Sequence, residues 1–168
     1  MAAILTPRRR ARLPSLDRFG WLMALYAENH QRLRGLLPPG ELAPGPWRSS
    51  CGDGLDLHLE VIEQHRYTTE LRLSYTLRDP RTGMPDPSAH LRCYRDAALA
   101  EATHCYIGQD WLQALGMRRD AEIVLDHRLR MNTFLGKWLL YLGEQGHGPG
   151  TFERMIFDRM GQGHSARA

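Results

Sequence analysis

Residues 55–77 read LDLHLEVIEQHRYTTELRLSYTL, and their alternation decides the fold. Leu55, Leu57, Leu59 and Val61 alternate with Asp56, His58 and Glu60. After His65-Arg66, the run Tyr67–Leu77 repeats the pattern, with Leu71, Leu73, Tyr75 and Leu77 set against Glu70, Arg72, Ser74 and Thr76. Side chains on a strand point alternately to its two faces, so these are half-buried antiparallel strands with one apolar and one wet face. His65-Arg66 is the turn between them.

Working outward, Gly52-Asp53-Gly54 is a turn signal, and Trp47–Cys51 before it is a short strand. On the other side, DPRTGMPDPS (79–88) holds three prolines and a glycine and reads as a loop. Ala89–Tyr94 and Ala98–Ile107 form a second hairpin around Arg95-Asp96-Ala97. With Asp96-Ala97 as the loop, Arg92 lies opposite Glu101.

Helices flank the strands. Phe19, Leu22, Tyr26, Leu33 and Leu36 recur at helical spacing with Asn29 on the same stripe, and Pro38-Pro39 stop the helix. PPGELAPGP is a linker. Gln109–Leu115 reads as a short helix. A longer helix runs from about Asp126, as N-cap, to Gly143, with Met131, Phe134, Leu135, Trp138 and Leu142 as its stripe. TFERMIFDRM (151–160) has helical turns as its local preference, in a tail where His147 and His164 are expected to be solvated. The expected fold is therefore α+β: an antiparallel meander of about five strands with N- and C-terminal helices on one face. The expected organisation is an Arg-rich flexible arm (1–18), one domain (19–146) and a flexible tail (147–168).

Within 168 residues, 42% apolar, one domain can bury a core without metal or disulfide staples. Three cysteines in no framework spacing point to a reducing cytosol. No run is long and apolar enough for a membrane span. The formal charge is +3, but residues 7–18 carry +4 and the remainder −1. Nucleic-acid binding is thus expected, if at all, only through the arm.

His90, Cys93, His104 and Cys105 invite a metal reading. Alternation answers it: an even loop puts Cys93 with His104, an odd loop pairs the cysteines on one face and the histidines on the other. Each leaves two soft ligands per face where structural zinc takes four, so neither metal nor cofactor is expected. No nucleophile elbow, phosphate loop or HExxH helix is present. Asp126 and His127 would point about 100° apart on a helix. The enzyme question stays open, leaning to no, with no catalytic residue assigned. Asn29 and Asn132, amides on or beside core stripes, either fix register or line a pocket under the helices.

Four segments together resemble a known family: LMALYAENHQRLRGLLP (22–38), HRYTTELRL (65–73), LRCYRDAALAEA (91–102) and MNTFLGKWLLYLGEQG (131–146). They are similar to the YqiB-like proteobacterial proteins, whose domain has no assigned function. The resemblance falls on Asn29, Arg66-Tyr67-Thr68-Thr69, Tyr94, Asp96, Glu101, Asp126, Asn132 and Trp138. Family members carry an Arg-Tyr-Asp-Tyr-Pro-Asn-like segment where this chain has QALGMRRDAEIVL (113–125). The resemblance implies a bacterial, cytoplasmic protein and transfers no activity. The function expected is a non-enzymatic binding or adaptor module for a protein partner, acting through Arg66, Tyr67, Tyr94 and Asp96 near the hairpin tips. The alternative is a small-molecule or nucleotide pocket, catalytic or not, between sheet and helices, touched by Asn29 and Asn132.

Overall fold

The computed structural model describes residues 17–52, 54–107, 124–156 and 164–167. The first helix, α1 (Arg18–Leu36), starts where the Asp17 carboxylate accepts from the Gly20 N–H at 2.6 Å. It ends at Leu37, which is extended (ψ 154°), as the residue before a proline must be. Its buried stripe is Leu22, Leu25, Tyr26, Asn29, Leu33 and Leu36. Phe19, expected on that stripe, is 60% exposed, and Leu25, outside the expected stripe, is buried.

The strands are β1 (Gly45–Ser49), β2 (Leu57–Gln64), β3 (Thr68–Tyr75), β4 (Ser88–Tyr94) and β5 (Leu99–Tyr106), followed by α2 (Val124–Glu144), β6 (Phe152–Ile156) and β7 (His164–Arg167). They form one antiparallel sheet in the order β5-β4-β3-β2-β1-β6-β7. The α+β meander with two covering helices is as the alternation implies, and the strand count rises from about five to seven. TFERMIFDRM is the reason. Phe152–Ile156 is a strand, neither helical turns nor part of a flexible tail, because the outer edge of β1 offers it a hydrogen-bonded partner. Its ladder covers Trp47, Arg48 and Ser49 and stops short of Pro46, which has no N–H to contribute. The sheet thus continues past residue 146. Residues 1–16 of the expected arm (1–18), the short helix at 109–115 and most of the altered segment 113–125 lie outside the described residues, while Asp17 and Arg18 open α1.

Leu57, Leu59, Leu73, Leu91, Ala100 and Ala102 face Phe134, Leu135, Trp138 and Leu142 of α2 across the core. Small residues on β5 let the helices approach. Asp126 lies inside the first described turn of α2 rather than at an N-cap, and it pairs with Arg18.

Arg92 does register opposite Glu101, yet its guanidinium turns to Glu70 (2.7 and 3.0 Å). Glu101 instead accepts from Tyr94 (2.8 Å) and from Arg128 (3.1 Å). An extra residue, Thr103, bulges from β5, so His104 registers with His90 and Cys105 with Ala89. The bulge breaks the even-loop expectation. Cys93 and Cys105 pack with the core, and the His90 and His104 rings meet edge-on at 6.2 Å.

Two buried amides join the layers. The Asn132 carbonyl oxygen of its side chain accepts from the Ala102 N–H at 2.8 Å, and its amide donates to the Arg128 carbonyl at 2.9 Å. Asn29 donates to the Asn132 main-chain carbonyl at 3.1 Å, while its own side-chain oxygen has no hydrogen-bond partner among the described residues. That oxygen faces Gly136, where an added Cβ would sit 2.8 Å from it and 2.7 Å from an Arg32 nitrogen. Arg32 is flexible and can withdraw, but Asn29 is fully buried and held. Gly136→Ala is therefore expected to destabilise by about 1–3 kcal/mol through overpacking. Helix propensity alone would stabilise by about 1 kcal/mol, so the sign of the urea-denaturation shift decides between them.

Candidate functional site

The two hairpin tips lie side by side at one end of the sheet. Thr68 registers with Tyr94, and the Arg95 N–H donates to the Tyr67 carbonyl at 2.8 Å. The Arg66 guanidinium lies 5.0 Å from the centre of the Tyr67 ring, which is 50% exposed. Asp96 accepts from the Ala97 N–H at 2.9 Å and so serves its own turn, beside Ala98 with φ +52°. Tyr94 points to the wet face and bonds Glu101; burial, then that bond, raises its phenol. The structure therefore brings Arg66, Tyr67 and Asp96 together at an exposed tip and turns the Tyr94 hydroxyl away from them.

Beside this tip, on the helix-covered face, is a groove of about 390 Å³ between the end of α1, the Pro38–Leu42 linker and the ends of β2, β3 and β4. Leu33, Leu37, Leu71 and Cys93 supply apolar wall, and His30, Arg34 and Arg95 supply the polar groups. A pocket of this size, apolar with a few convergent polar groups, is the ordinary form of a ligand site. Burial pushes the Cys93 thiol up to about 12, which removes it as a nucleophile.

Arg95 is the centre of the groove's chemistry. One terminal nitrogen pairs with the Glu41 carboxylate, and the other donates to the His65 carbonyl. Its Nε is buried and has no hydrogen-bond partner among the described residues. The Glu41 side chain is 72% exposed, so the guanidinium is the fixed member of the pair and the carboxylate the replaceable one. Burial first and Arg34 second hold the His30 imidazole below its ordinary pKa. Arg34 and Arg95 thus carry the positive charge of the site at neutral pH.

Asn29 and Asn132 do not line this groove. They sit at the junction of α1, α2 and β5, fully buried, and their bonds are structural. Neither Arg95 nor His30 stands out in the sequence as a site residue. For Arg95 a signal existed: Leu91, Cys93 and Arg95 share one parity, so the core face of β4, carried two residues past Cys93, ends on a guanidinium. His30 and Arg34 lie one residue beyond the buried positions Asn29 and Leu33, where a helix face meets its border. Among the described residues, no group of three or more His, Cys, Asp or Glu side chains gathers as a metal site would require.

A family model described as Protein of unknown function (DUF1249) matches residues 32–148. The match contains Arg34, Arg95 and nearly all the groove's walls. No curated protein and no solved structure matches the chain.

Three histidines make stability depend on pH. Burial is the first cause holding His30, His58 and His90 below the ordinary value of 6.5; Arg34 adds to it at His30, Asp56 opposes and Arg48 adds to it at His58, and at His90 Arg72 and His104 add to it while Glu60 and Glu70 oppose it. Below that value the unfolded chain binds protons that the folded chain refuses, so stability is complete above it and falls as pH drops. The urea midpoint is expected to be lower at pH 5.5 than at pH 7.5. An equal or higher midpoint at pH 5.5 would show that these imidazoles are solvated.

Proposed function

The chain belongs to the family described as Protein of unknown function (DUF1249), and from that premise we propose that it is a small binding or adaptor module. Its groove takes a partner segment with an apolar side chain followed by a carboxylate. The observation that carries this reading is Arg95: a cation set in an apolar wall, paired with an exposed side chain on a proline-flanked loop. Glu41 occupies the place of the incoming carboxylate, and binding exchanges one for the other. A charge-assisted bond to a guanidinium in a partly dry site contributes about 1.5–3 kcal/mol. The apolar wall selects the flanking side chain. Tyr67, joined to Arg95 through the backbone, extends the contact surface beyond the groove with an exposed aromatic ring, the residue type that anchors protein interfaces. That extension favours a protein segment over a small metabolite.

Support for a cytosolic protein comes from its cysteines, none of which is in a disulfide. No helix among the described residues is long and apolar enough to cross a membrane. Similarity to the YqiB-like proteins rests on the four segments quoted above.

The test is an NMR titration with acetylated tri-leucine, comparing the free C-terminal carboxylate with the C-terminal amide. The carboxylate form is expected to shift the Arg95 Nε–H and the Leu71 and Cys93 amides, and to bind at least about tenfold more tightly than the amide. Glu41→Ala is expected to tighten binding by up to about fivefold, because an exposed ion pair worth about 0.2–1 kcal/mol no longer has to be broken. Equal binding of the two peptides, or weaker binding by the Glu41 variant, would overturn the proposal.

A further inference from the structure

Where β1 ends, outside the groove, lies a second group of reactive side chains. Ser49 closes β1 and is fully buried, and Cys51 follows two residues later, half-buried. His147 comes to them from the end of α2. Gly146, with φ +99°, donates to the Gly143 carbonyl (3.1 Å) and His147 to the Leu142 carbonyl (3.1 Å). This pair of bonds is the left-handed helix stop that turns a chain back on itself. The turn carries His147 out of the tail, where its glycine-rich surroundings predict solvation, and leaves it only 4% exposed beside Tyr75.

The hydrogen bonds around Ser49 favour one tautomer of His147. The Thr151 hydroxyl donates its one hydrogen to the Gly148 carbonyl at 2.8 Å and accepts from the Gly148 N–H at 3.0 Å. Ser49 Oγ, 2.6 Å from Thr151 Oγ1, must then be the donor of that contact. Having spent its hydrogen there, Ser49 can only accept from His147, whose Nδ1 is 2.8 Å away. Nδ1 therefore carries a proton. In the neutral ring Nε2 is bare, and it lies 3.2 Å from Cys51 Sγ. A bare imidazole nitrogen at that distance from a thiol is an acceptor for its proton.

We propose that Cys51 is a nucleophilic thiol with His147 as its base, and that its substrate class is a low-molecular-weight disulfide. The cluster supplies what exchange requires: a thiol that can lose its proton, and a place for the proton until the leaving sulfur takes it. The thiol proton passes to Nε2, and Sγ attacks one sulfur of the disulfide. A new S–S bond forms to Cys51, the old one breaks, and the departing thiolate takes the proton from Nε2. Cys51 is oxidised to a mixed disulfide and the departing sulfur is reduced to a thiol. The other two cysteines do not compete, since burial pushes the thiols of Cys93 and Cys105 up to about 12. This inference is independent of the groove and of the binding role.

The probe is dithiobis(nitrobenzoate), added to the intact chain at neutral pH. Release of the coloured thiolate gives the rate, and mass spectrometry gives the site. One equivalent is expected to react, at Cys51. His147→Asn is the informative variant, because its amide can still donate to Ser49 but has no atom in the place of Nε2. Its rate is expected to fall about 100-fold, the low end of what a positioned base contributes. Nitrogen-15 NMR of the wild-type imidazole reads the tautomer without any variant, and Nδ1 is expected to be protonated. A bare Nδ1 would overturn the proposal. So would a Cys51 that reacts no faster than in the urea-unfolded chain, or a folded His147→Asn that keeps the wild-type rate. If His147→Asn does not fold, the tautomer and the comparison with the unfolded chain decide.

Discussion

The Asn132 side chain is the joint on which the two layers depend. β5 is an edge strand, and an edge strand leaves backbone groups without a ladder partner. Asn132 satisfies one of them, the Ala102 N–H, from the middle of a helix, and its own main-chain carbonyl then receives Asn29 from the other helix. Three elements meet in one fully buried polar cluster. Leaving a buried donor or acceptor unmade costs about 1–3 kcal/mol, so sliding α2 by a turn would forfeit two such bonds and sliding α1 would forfeit one. The close approach of α1 to α2 at Gly136 and the small side chains at Ala100 and Ala102 follow from this junction. So does the groove. With α1 anchored beside β5, its C-terminal end and the proline-rich linker pass over the ends of β2–β4 without filling the space beneath them.

The parts of this architecture that rest on local pattern were legible in the sequence. Alternation located β2, β3 and β4 and the beginning of β5, and helical spacing located the α2 stripe from Met131 to Leu142. The parts that rest on distant partners were not. Phe152, Met155 and Ile156 fit a helical spacing as well as any other, and only the open edge of β1 makes them a strand. The bulge at Thr103 reverses the parity of every residue after it, and nothing in ATHCY marks it. Phe19 has the right spacing for the core stripe but stands exposed in the first turn of α1.

The candidate site residues divide along the same line. Arg66, Tyr67 and Asp96 occupy the exposed tip that their turn chemistry suggested, whereas the groove beside them is built by chain segments far apart in sequence. Arg95 belongs to both, since its backbone serves the turn and its side chain the groove. His147 is buried although glycines around a histidine usually mean solvent. Here Gly146 supplies a left-handed helix stop, and the same conformational freedom that suggests disorder delivers the ring to the core.

The place of β1 in the sheet has a consequence for how the protein is made. β1 is the first strand along the described chain, yet it lies between β2 and β6, and the residues that cover its outer edge leave a ribosome only after α2. Until they arrive, the nascent meander shows an open ladder at Trp47–Ser49, interrupted only by Pro46. Cys51 waits through the same interval without its histidine, 96 positions downstream. Nascent-chain folding therefore separates a stage in which the thiol is an ordinary cysteine from a stage in which it has a base. The boundary between the two stages is the closing of α2 onto the sheet.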